Sequence, residues 1–292
     1  MESKRTQAIQ KFNYWATRMI CPICQSNLSF TNNQVRCDHN HSFDIAKQGY
    51  INLAPNHQEA HYNNELFAAR QRIMGDAKLY TGIYDQILDL LVEQGIDLNS
   101  VNNIIDLGTG EGSHFHYFID HWQNRTQQTT IPMALGLDLA KDGIVSAAKH
   151  YTNALWVVAD LGQLPFTPAS IDGAITILSP SNYHHLNQAL SEKGWFIKVI
   201  PGPNYLRELR EIVLTPENQQ QDDRTSINKF KAAFNQFSQS SYRKTVTLDE
   251  KQMADLIKMT PLMWHANDKQ LERAHALTQI TIDLSILFGQ KE

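Results

Sequence analysis

The sequence predicts an α/β protein built on a doubly wound, mostly parallel sheet, with a small cysteine-bearing lobe at its N-terminus. Three observations carry this. Apolar strand-length runs alternate with helix-length segments from about residue 101 onward. The first of these runs opens into a loop with three glycines spaced two apart, Ile104-Ile105-Asp106-Leu107-Gly108-Thr109-Gly110-Glu111-Gly112. All three cysteines of the 292-residue chain, Cys21, Cys24 and Cys37, fall in its first 40 residues.

Taken in order, residues 1–62 read as the lobe and a linker, and residues 63–292 as the main domain. The interval between Cys24 and Cys37 contains Leu28-Ser29-Phe30, a turn-like Thr31-Asn32-Asn33 and Val35-Arg36-Cys37. It predicts a two-stranded ribbon. Residues 42–62 read as an irregular linker in which Phe43, Ile45, Tyr50, Ile51 and Leu53 pin the lobe to its neighbour. Residues 64–95 predict helices, because Leu66, Phe67, Ile73 and Met74, then Tyr84, Ile87, Leu88 and Leu91, recur at helical spacing. Gly75 and Gly82 punctuate them. Arg70 and Arg72 read first as solvated helix charge and second as substrate-facing groups.

In the main domain, strands are expected at 104–106, 133–138, 154–158, 171–177 and 194–200, with helices at 111–122, 141–150 and 183–191 between them. A helix through Leu206, Leu209 and Val213 follows, then a polar surface excursion at 217–226 and a helical Phe230, Phe234, Phe237 set. A helix at 249–258 and a terminal strand at 278–288 complete the chain.

Composition narrows the class. Apolar residues make up 42% and charged residues 19%, as in a globular protein. No apolar run reaches membrane-spanning length, and MESKRTQ does not begin a secretory signal, so a cytoplasmic location is expected. An odd cysteine count points to a reducing compartment rather than a disulfide framework. The net charge of −4 is unevenly spread. Residues 1–50 hold six Lys/Arg against three acids, and the remainder 20 against 27. A basic lobe on an acidic body can neutralise a few phosphates.

Two clusters carry chemistry. Cys21-Pro22-Ile23-Cys24 and Cys37-Asp38-His39-Asn40-His41 supply soft ligands in two close-spaced pairs, a set that suits tetrahedral Zn²⁺. His39 and His41 compete for the fourth position, and the longer bite favours His41. A ribbon this small has no core of its own, so the metal contributes its folding free energy. The competing reading is a redox Cys-x-x-Cys, which wants a βαβ context that is missing here. In the glycine loop, Asp106 and Glu111 would repel a diphosphate but suit a ligand bearing a sulfonium and an ammonium, such as S-adenosylmethionine. Asp138, closing the second strand, is placed for ribose hydroxyls, and Asp160-Leu161 for the adenine amino group.

At this point the core resembles the class I S-adenosylmethionine-dependent methyltransferases. The whole chain, residues 18–290, more narrowly resembles the bacterial 23S rRNA (guanine-N1-)-methyltransferases with an N-terminal zinc lobe. The segments that carry this are CPIC with CDHNH, FDIAKQGYINLAP, ARQRIM, IIDLGTGEG, GLDLAKDGIVSAAK, LGQLPF, PGPNYLRELRE and MTPLMWHA. The zinc lobe joined to FDIAKQGY is the specific part. The resemblance implies a Rossmann-like, seven-stranded methyltransferase sheet with an antiparallel strand near the C-terminus. It implies Cys21, Cys24, Cys37 and His41 as ligands of one structural zinc. It implies cofactor contacts from Asp106, Gly108, Thr109, Gly110, Gly112, Asp138, Leu139, Asp160 and Leu161. It further implies a homodimer whose cleft receives a 23S rRNA hairpin.

This chain departs from the family in having Thr109 where a cysteine is usual, and Leu178-Ser179-Pro180-Ser181 where Ala-Pro-Cys is common. The second departure faces the target base. Methyl transfer to guanine N1 needs alignment and an acceptor for the N1 proton. Ser179 and Pro180 are candidates to line that site, and Tyr183 and His184 for stacking or proton handling, against packing or surface roles for the last two. Other readings are a methyltransferase of the same fold acting on another RNA, a small molecule or a protein, a non-enzymatic zinc-ribbon RNA-binding protein, and an NAD-linked oxidoreductase.

Overall fold

The computed structural model describes residues 2–31, 34–55, 64–127, 131–219 and 222–291. Helix α1 (Lys4–Trp15) opens the chain. A small antiparallel sheet follows, of β1 (Leu28–Thr31), β2 (Gln34–Cys37) and β3 (Ser42–Phe43). Strand β4 (Tyr50–Asn52) leads to helices α2 (Asn64–Asp76) and α3 (Thr81–Glu93). The alternating core comprises β5 (Asn103–Leu107), α4 (Ser113–Thr126), β6 (Met133–Asp138), α5 (Lys141–His150) and β7 (Leu155–Val158). It continues through β8 (Ile171–Ile177), α6 (Tyr183–Ala189) and β9 (Leu190–Pro201). The C-terminal part holds α7 (Arg207–Val213), α8 (Arg224–Ala233), β10 (Gln236–Thr247), α9 (Glu250–Met259), α10 (Asp268–His275) and β11 (Gln279–Gln290).

The main sheet runs β10-β11-β9-β8-β5-β6-β7-β4. Pairs from β9 to β4 are parallel, and β11 lies antiparallel to both β9 and β10. This is the expected doubly wound sheet with its late antiparallel strand. Among the described residues it has eight strands rather than seven. The extra one is β4, where an irregular linker was expected. Tyr50, Ile51 and Asn52 pair with Trp156, Val157 and Val158. Three residues are too short to show alternation, so a parallel edge strand of this kind leaves no periodic signature. The turn residues Asn32 and Asn33 and the linker's residues 56–62 lie outside the described residues.

Two further elements differ from expectation. The polar N-terminus is helix α1, capped by Ser3, whose hydroxyl accepts from the Thr6 amide. It buries Ala8, Phe12 and Trp15 along one stripe. Phe237 belongs not to a helix but to β10, which pairs with β11 over twelve residues. β10 is an edge strand with mostly exposed side chains, so its sequence QFSQSSYRKTVT carries no apolar alternation, while Arg243 and Lys244 keep the edge charged. The helices at 64–95 break between their two glycines, at Ala77–Tyr80; Gly75 and Gly82 sit just inside the flanking helix ends.

Each face of the sheet carries its own apolar layer. Ile104, Trp156, Ile175, Ile197 and Ile282 pack under α2, α3, α4, α5 and α9. Ile105, Leu135, Val157, Ala174 and Phe196 face the other way. That second face is covered by α1, the small sheet, α6 and α8. Its crossover from β7 to β8 contains no helix, and the N-terminal lobe fills the space. Met19 bridges to Phe166, the Ile20 amide donates to Pro165 O at 3.0 Å, and the Thr167 amide donates to Arg18 O at 2.9 Å.

Candidate active site and metal centre

Three glycines with positive φ turn the chain sharply after β5: Gly108 (+79°), Gly110 (+59°) and Gly112 (+84°). Two of these positions are also tight. A Cβ on Gly108 would meet Ser179 Oγ at 1.9 Å, and one on Gly112 would meet Trp156 and Ala147 at 2.8 Å. The loop borders a cleft of about 510 Å³ at the carboxyl ends of β5, β6 and β8, where strand order reverses. Gly108, Gly110, Asp138, Leu139, Leu161, Ser179 and Pro180 line it, with Phe67, Arg70 and the loop through Asn182.

Asp138 is held rigidly. Its Oδ2 accepts from the Gly110 amide at 2.7 Å and its Oδ1 from the Ala140 amide at 2.8 Å. Each oxygen keeps a lone pair for a ligand hydroxyl. Burial pushes its carboxyl above the usual range, and those two amides offset part of the rise.

Asp106 stands behind the loop, 3% exposed and outside the cleft lining. Burial pushes its carboxyl up to about 7. The buried Thr109 hydroxyl beside it counters that rise, although it lacks the alignment of a full hydrogen bond. Gly112 and Thr109 likewise support the loop from behind. Asp160 is exposed, its Oδ1 accepting from the Gly162 amide at 2.7 Å and so shaping the turn that carries Leu161 and Gly162 into the cleft.

Glu111 is 1% exposed, and Arg70 Nε lies 3.1 Å from its Oε2. The contact is ionic rather than a well-aligned hydrogen bond, and among the described residues neither Glu111 oxygen accepts one. Arg70 is therefore not the solvated helix charge of the first reading: it reaches from α2 into the cleft wall. Arg72 instead binds Asp255 in α9, with Nε–Oδ2 at 2.8 Å and a second guanidinium bond at 2.5 Å.

The far wall is the segment Leu178–Asn182. Leu178 sits at φ +57°, a conformation that costs a non-glycine residue of order 1–2 kcal/mol. Lys198 clamps this segment, with Nζ donating to Ser179 O at 3.1 Å and Ser181 Oγ at 2.8 Å. Burial lowers its ammonium to about 8. The sequence reading passed over Lys198, although a lone lysine in the apolar run Trp195–Ile200 is a visible anomaly. Tyr183 and His184 lie outside the cleft lining. Tyr183 packs edge-on against Phe196, Phe230 and Phe234, and His184 is exposed on α6 beside Gln188.

In the lobe, the ligand atoms of Cys21, Cys24, Cys37 and His41 all lie within 4.8 Å of one another, and no disulfide joins the cysteines. His41 Nδ1 is 3.6 Å from Cys21 Sγ and 3.4 Å from Cys37 Sγ. The Ser26 hydroxyl, 3.2 Å from Cys24 Sγ, helps hold that thiol down at about 5. Three thiols and one imidazole converging on one point fit Zn²⁺, and His39 is not part of the group. The basic residues of the lobe are less available than their number suggests. Lys4, Arg5, Arg18 and Arg36 each donate to acceptors within the chain.

Comparison with known proteins agrees with this geometry. Residues 19–60 match the zinc-ribbon family model described as "RlmA, N-terminal". A Bacillus subtilis (strain 168) protein named "Putative 23S rRNA (guanine-N(1)-)-methyltransferase YxjB" is 31% identical over 276 residues, covering 93% of this chain and 96% of that protein. The 23S rRNA (guanine(748)-N(1))-methyltransferase of Streptomyces fradiae is 24% identical over 255 residues, covering 87% and 88%. With a Cys₃His lobe fused to a methyltransferase-type sheet and kinship along nearly its full length, the chain belongs to the 23S rRNA (guanine-N1-)-methyltransferase family.

Proposed function

We propose that this protein transfers a methyl group from S-adenosylmethionine to N1 of a guanine in a hairpin of 23S rRNA. The single observation that most supports the donor is the pair formed by Arg70, which lines the cleft, and Glu111, a buried carboxylate behind it with no hydrogen-bond donor among the described residues. Such a pair suits the charged methionyl part, with Arg70 turned to its carboxylate and Glu111 fixing the guanidinium from behind. Asp138 holds the ribose hydroxyls. Leu139, Leu161 and the turn fixed by Asp160 bound the adenine. Asp106, Thr109 and Gly112 hold the glycine loop, while Gly108 and Gly110 let its backbone approach the ligand.

When bound, S-adenosylmethionine supplies an electrophilic methyl group on a sulfonium. The chain's own contribution is alignment and exclusion of water. Ile177, Leu178 and Leu161 make that part of the cleft apolar, and Ser179 and Pro180 form the wall nearest the target base. The guanine must be unpaired or extruded to reach this wall. Zinc is structural in this reading, because four protein ligands leave no open coordination position. Residues 1–62 then form the RNA-facing lobe with its linker, and residues 63–292 the catalytic domain. The homodimer is tested by sedimentation with and without RNA.

The decisive experiment incubates the protein with radiolabelled S-adenosylmethionine and undermethylated 23S rRNA, then maps the labelled nucleoside. N1-methylguanosine is expected. Label in another nucleoside, or in no RNA at all, rejects the reading in favour of a different substrate.

A further inference from the structure

A second chamber of about 230 Å³ adjoins the cleft and shares its wall, Leu178, Ser179 and Pro180. Lys198 lines one side of this chamber, and Asp222, Asp223 and Ser226 line another. We propose that the chamber receives the extruded target base and that Lys198, as a free amine, accepts the proton leaving guanine N1.

This inference rests on the proposed function, which supplies the substrate. Its geometric basis is the bonding of Nζ. A neutral amine has two N–H donors and one lone pair. The Ser179 carbonyl and the Ser181 hydroxyl account for two directions, at 3.1 and 2.8 Å. The lone pair remains for a group inside the chamber. Lys198 is 6% exposed, and burial disfavours its charged form, lowering it to about 8. A substantial neutral fraction is thus present at mildly alkaline pH. The Asp223 carboxylate accepts from the Ser285 hydroxyl at 3.1 Å and has lone pairs left to meet the exocyclic amine of guanine.

The step balances. The N1–carbon bond forms as the carbon–sulfur bond breaks, and the bonding pair stays on sulfur. The N1 proton passes to Lys198 Nζ, and the resulting ammonium returns it to water. No other reactant is needed.

The test compares wild type with K198R and S181A. Arginine can still donate to Ser179 O but cannot accept a proton at working pH. In single-turnover assays the wild-type rate is expected to rise with pH through an inflection near 8 and to level off above it. K198R is expected to lose roughly 10²–10⁴ in rate together with that inflection. Calorimetric binding of S-adenosylhomocysteine and of the RNA hairpin should be unchanged in K198R. S181A, which keeps the amine, should retain the inflection.

A K198R enzyme within threefold of wild type, or one keeping the inflection, overturns the proposal. So does loss of S-adenosylhomocysteine binding in both K198R and K198M, since the lysine then serves only the fold. These results leave the function standing if wild type still makes N1-methylguanosine. Absence of that product from wild type rejects the function itself, and this inference with it.

Discussion

Two carboxylates five residues apart in the glycine loop region, Asp106 and Glu111, do different work because their surroundings differ. Asp106 has no ion-pair partner in contact, so burial dominates and the Thr109 hydroxyl offsets only part of it, leaving its carboxyl pushed up to about 7. An unfolded aspartate titrates near 3.9. Between those values the folded state holds a proton that the unfolded state has lost, so stability falls as pH rises from about 4 to about 7. Asp106→Asn removes this loss. Its melting temperature should exceed that of wild type at pH 8 and converge with it at pH 4, as read by calorimetry. Equal melting temperatures at both pH values would show that Asp106 ionises freely in the fold. Glu111, by contrast, has Arg70 at 3.1 Å. Arg70→Met strands a buried carboxylate, at a cost of about 3–5 kcal/mol. The double variant Arg70→Met, Glu111→Leu should recover most of that stability in urea melts, yet bind S-adenosylhomocysteine more weakly than wild type by at least tenfold. Recovery of both stability and affinity would remove Arg70 from the cofactor site.

At the scale of elements, the Cys₃His cluster is what closes the lobe. Its strands β1, β2 and β3 have two to four residues each, too few to hold a sheet without cross-links. Cys24→Ser should therefore lower zinc stoichiometry and raise amide exchange across β1–β3, while S-adenosylhomocysteine affinity stays near wild type. Parallel loss of cofactor binding would mean that the metal supports the cleft directly. Elements with a clear apolar signature were legible from residues alone: β6, α5 and β8 fall on their predicted bounds, because the two strands are near-continuous apolar runs buried on both faces and the helix repeats one buried face. Strands β4 and β10 were not. One is too short for a pattern, and the other is polar on both faces because it sits at the sheet's edge. The site divides the same way. Spacing finds Gly108, Asp138 and the four residues of the Cys₃His cluster, since local chain geometry brings them to the cleft and to one another. Arg70 meeting Glu111, and Lys198 clamping Ser179, depend on contacts between distant segments and required the fold. PGPNYLRELRE proves to be structural: Asp283 accepts from the Asn204 amide at 2.8 Å, Tyr80 and Tyr205 share a hydroxyl bond at 2.6 Å, and Glu208 accepts from the Thr281 amide at 2.9 Å.

Across the whole molecule, the N-terminal lobe is not an appendage that can be cut away. Phe12, Trp15 and Met19 are fully buried in the layer that also contains Leu135, Val157 and Phe196. Trp15 packs at 6.0 Å from Phe166, within the helix-free crossover between β7 and β8. β4 hydrogen-bonds to β7 itself. Removing residues 1–53 would bare one sheet face and strip the pairing from an edge strand. Burying a single large apolar side chain contributes roughly 1.5–3 kcal/mol, and several are lost together here, against a typical domain stability of about 5–15 kcal/mol. The truncated chain should be recovered insoluble or, if soluble, should bind 8-anilinonaphthalene-1-sulfonate and melt without a cooperative transition. Lobe function is therefore better probed by substitutions at exposed positions. Ile23, 62% exposed between Cys21 and Cys24, and Lys47, exposed beyond β3, are suitable. Ile23→Ser and Lys47→Gln should leave the melting temperature unchanged. If the lobe grips RNA, Lys47→Gln should also reduce the dependence of RNA affinity on salt by about one counterion. A truncated chain that folds cooperatively and binds S-adenosylhomocysteine as wild type does would show instead that the crossover face closes without the lobe.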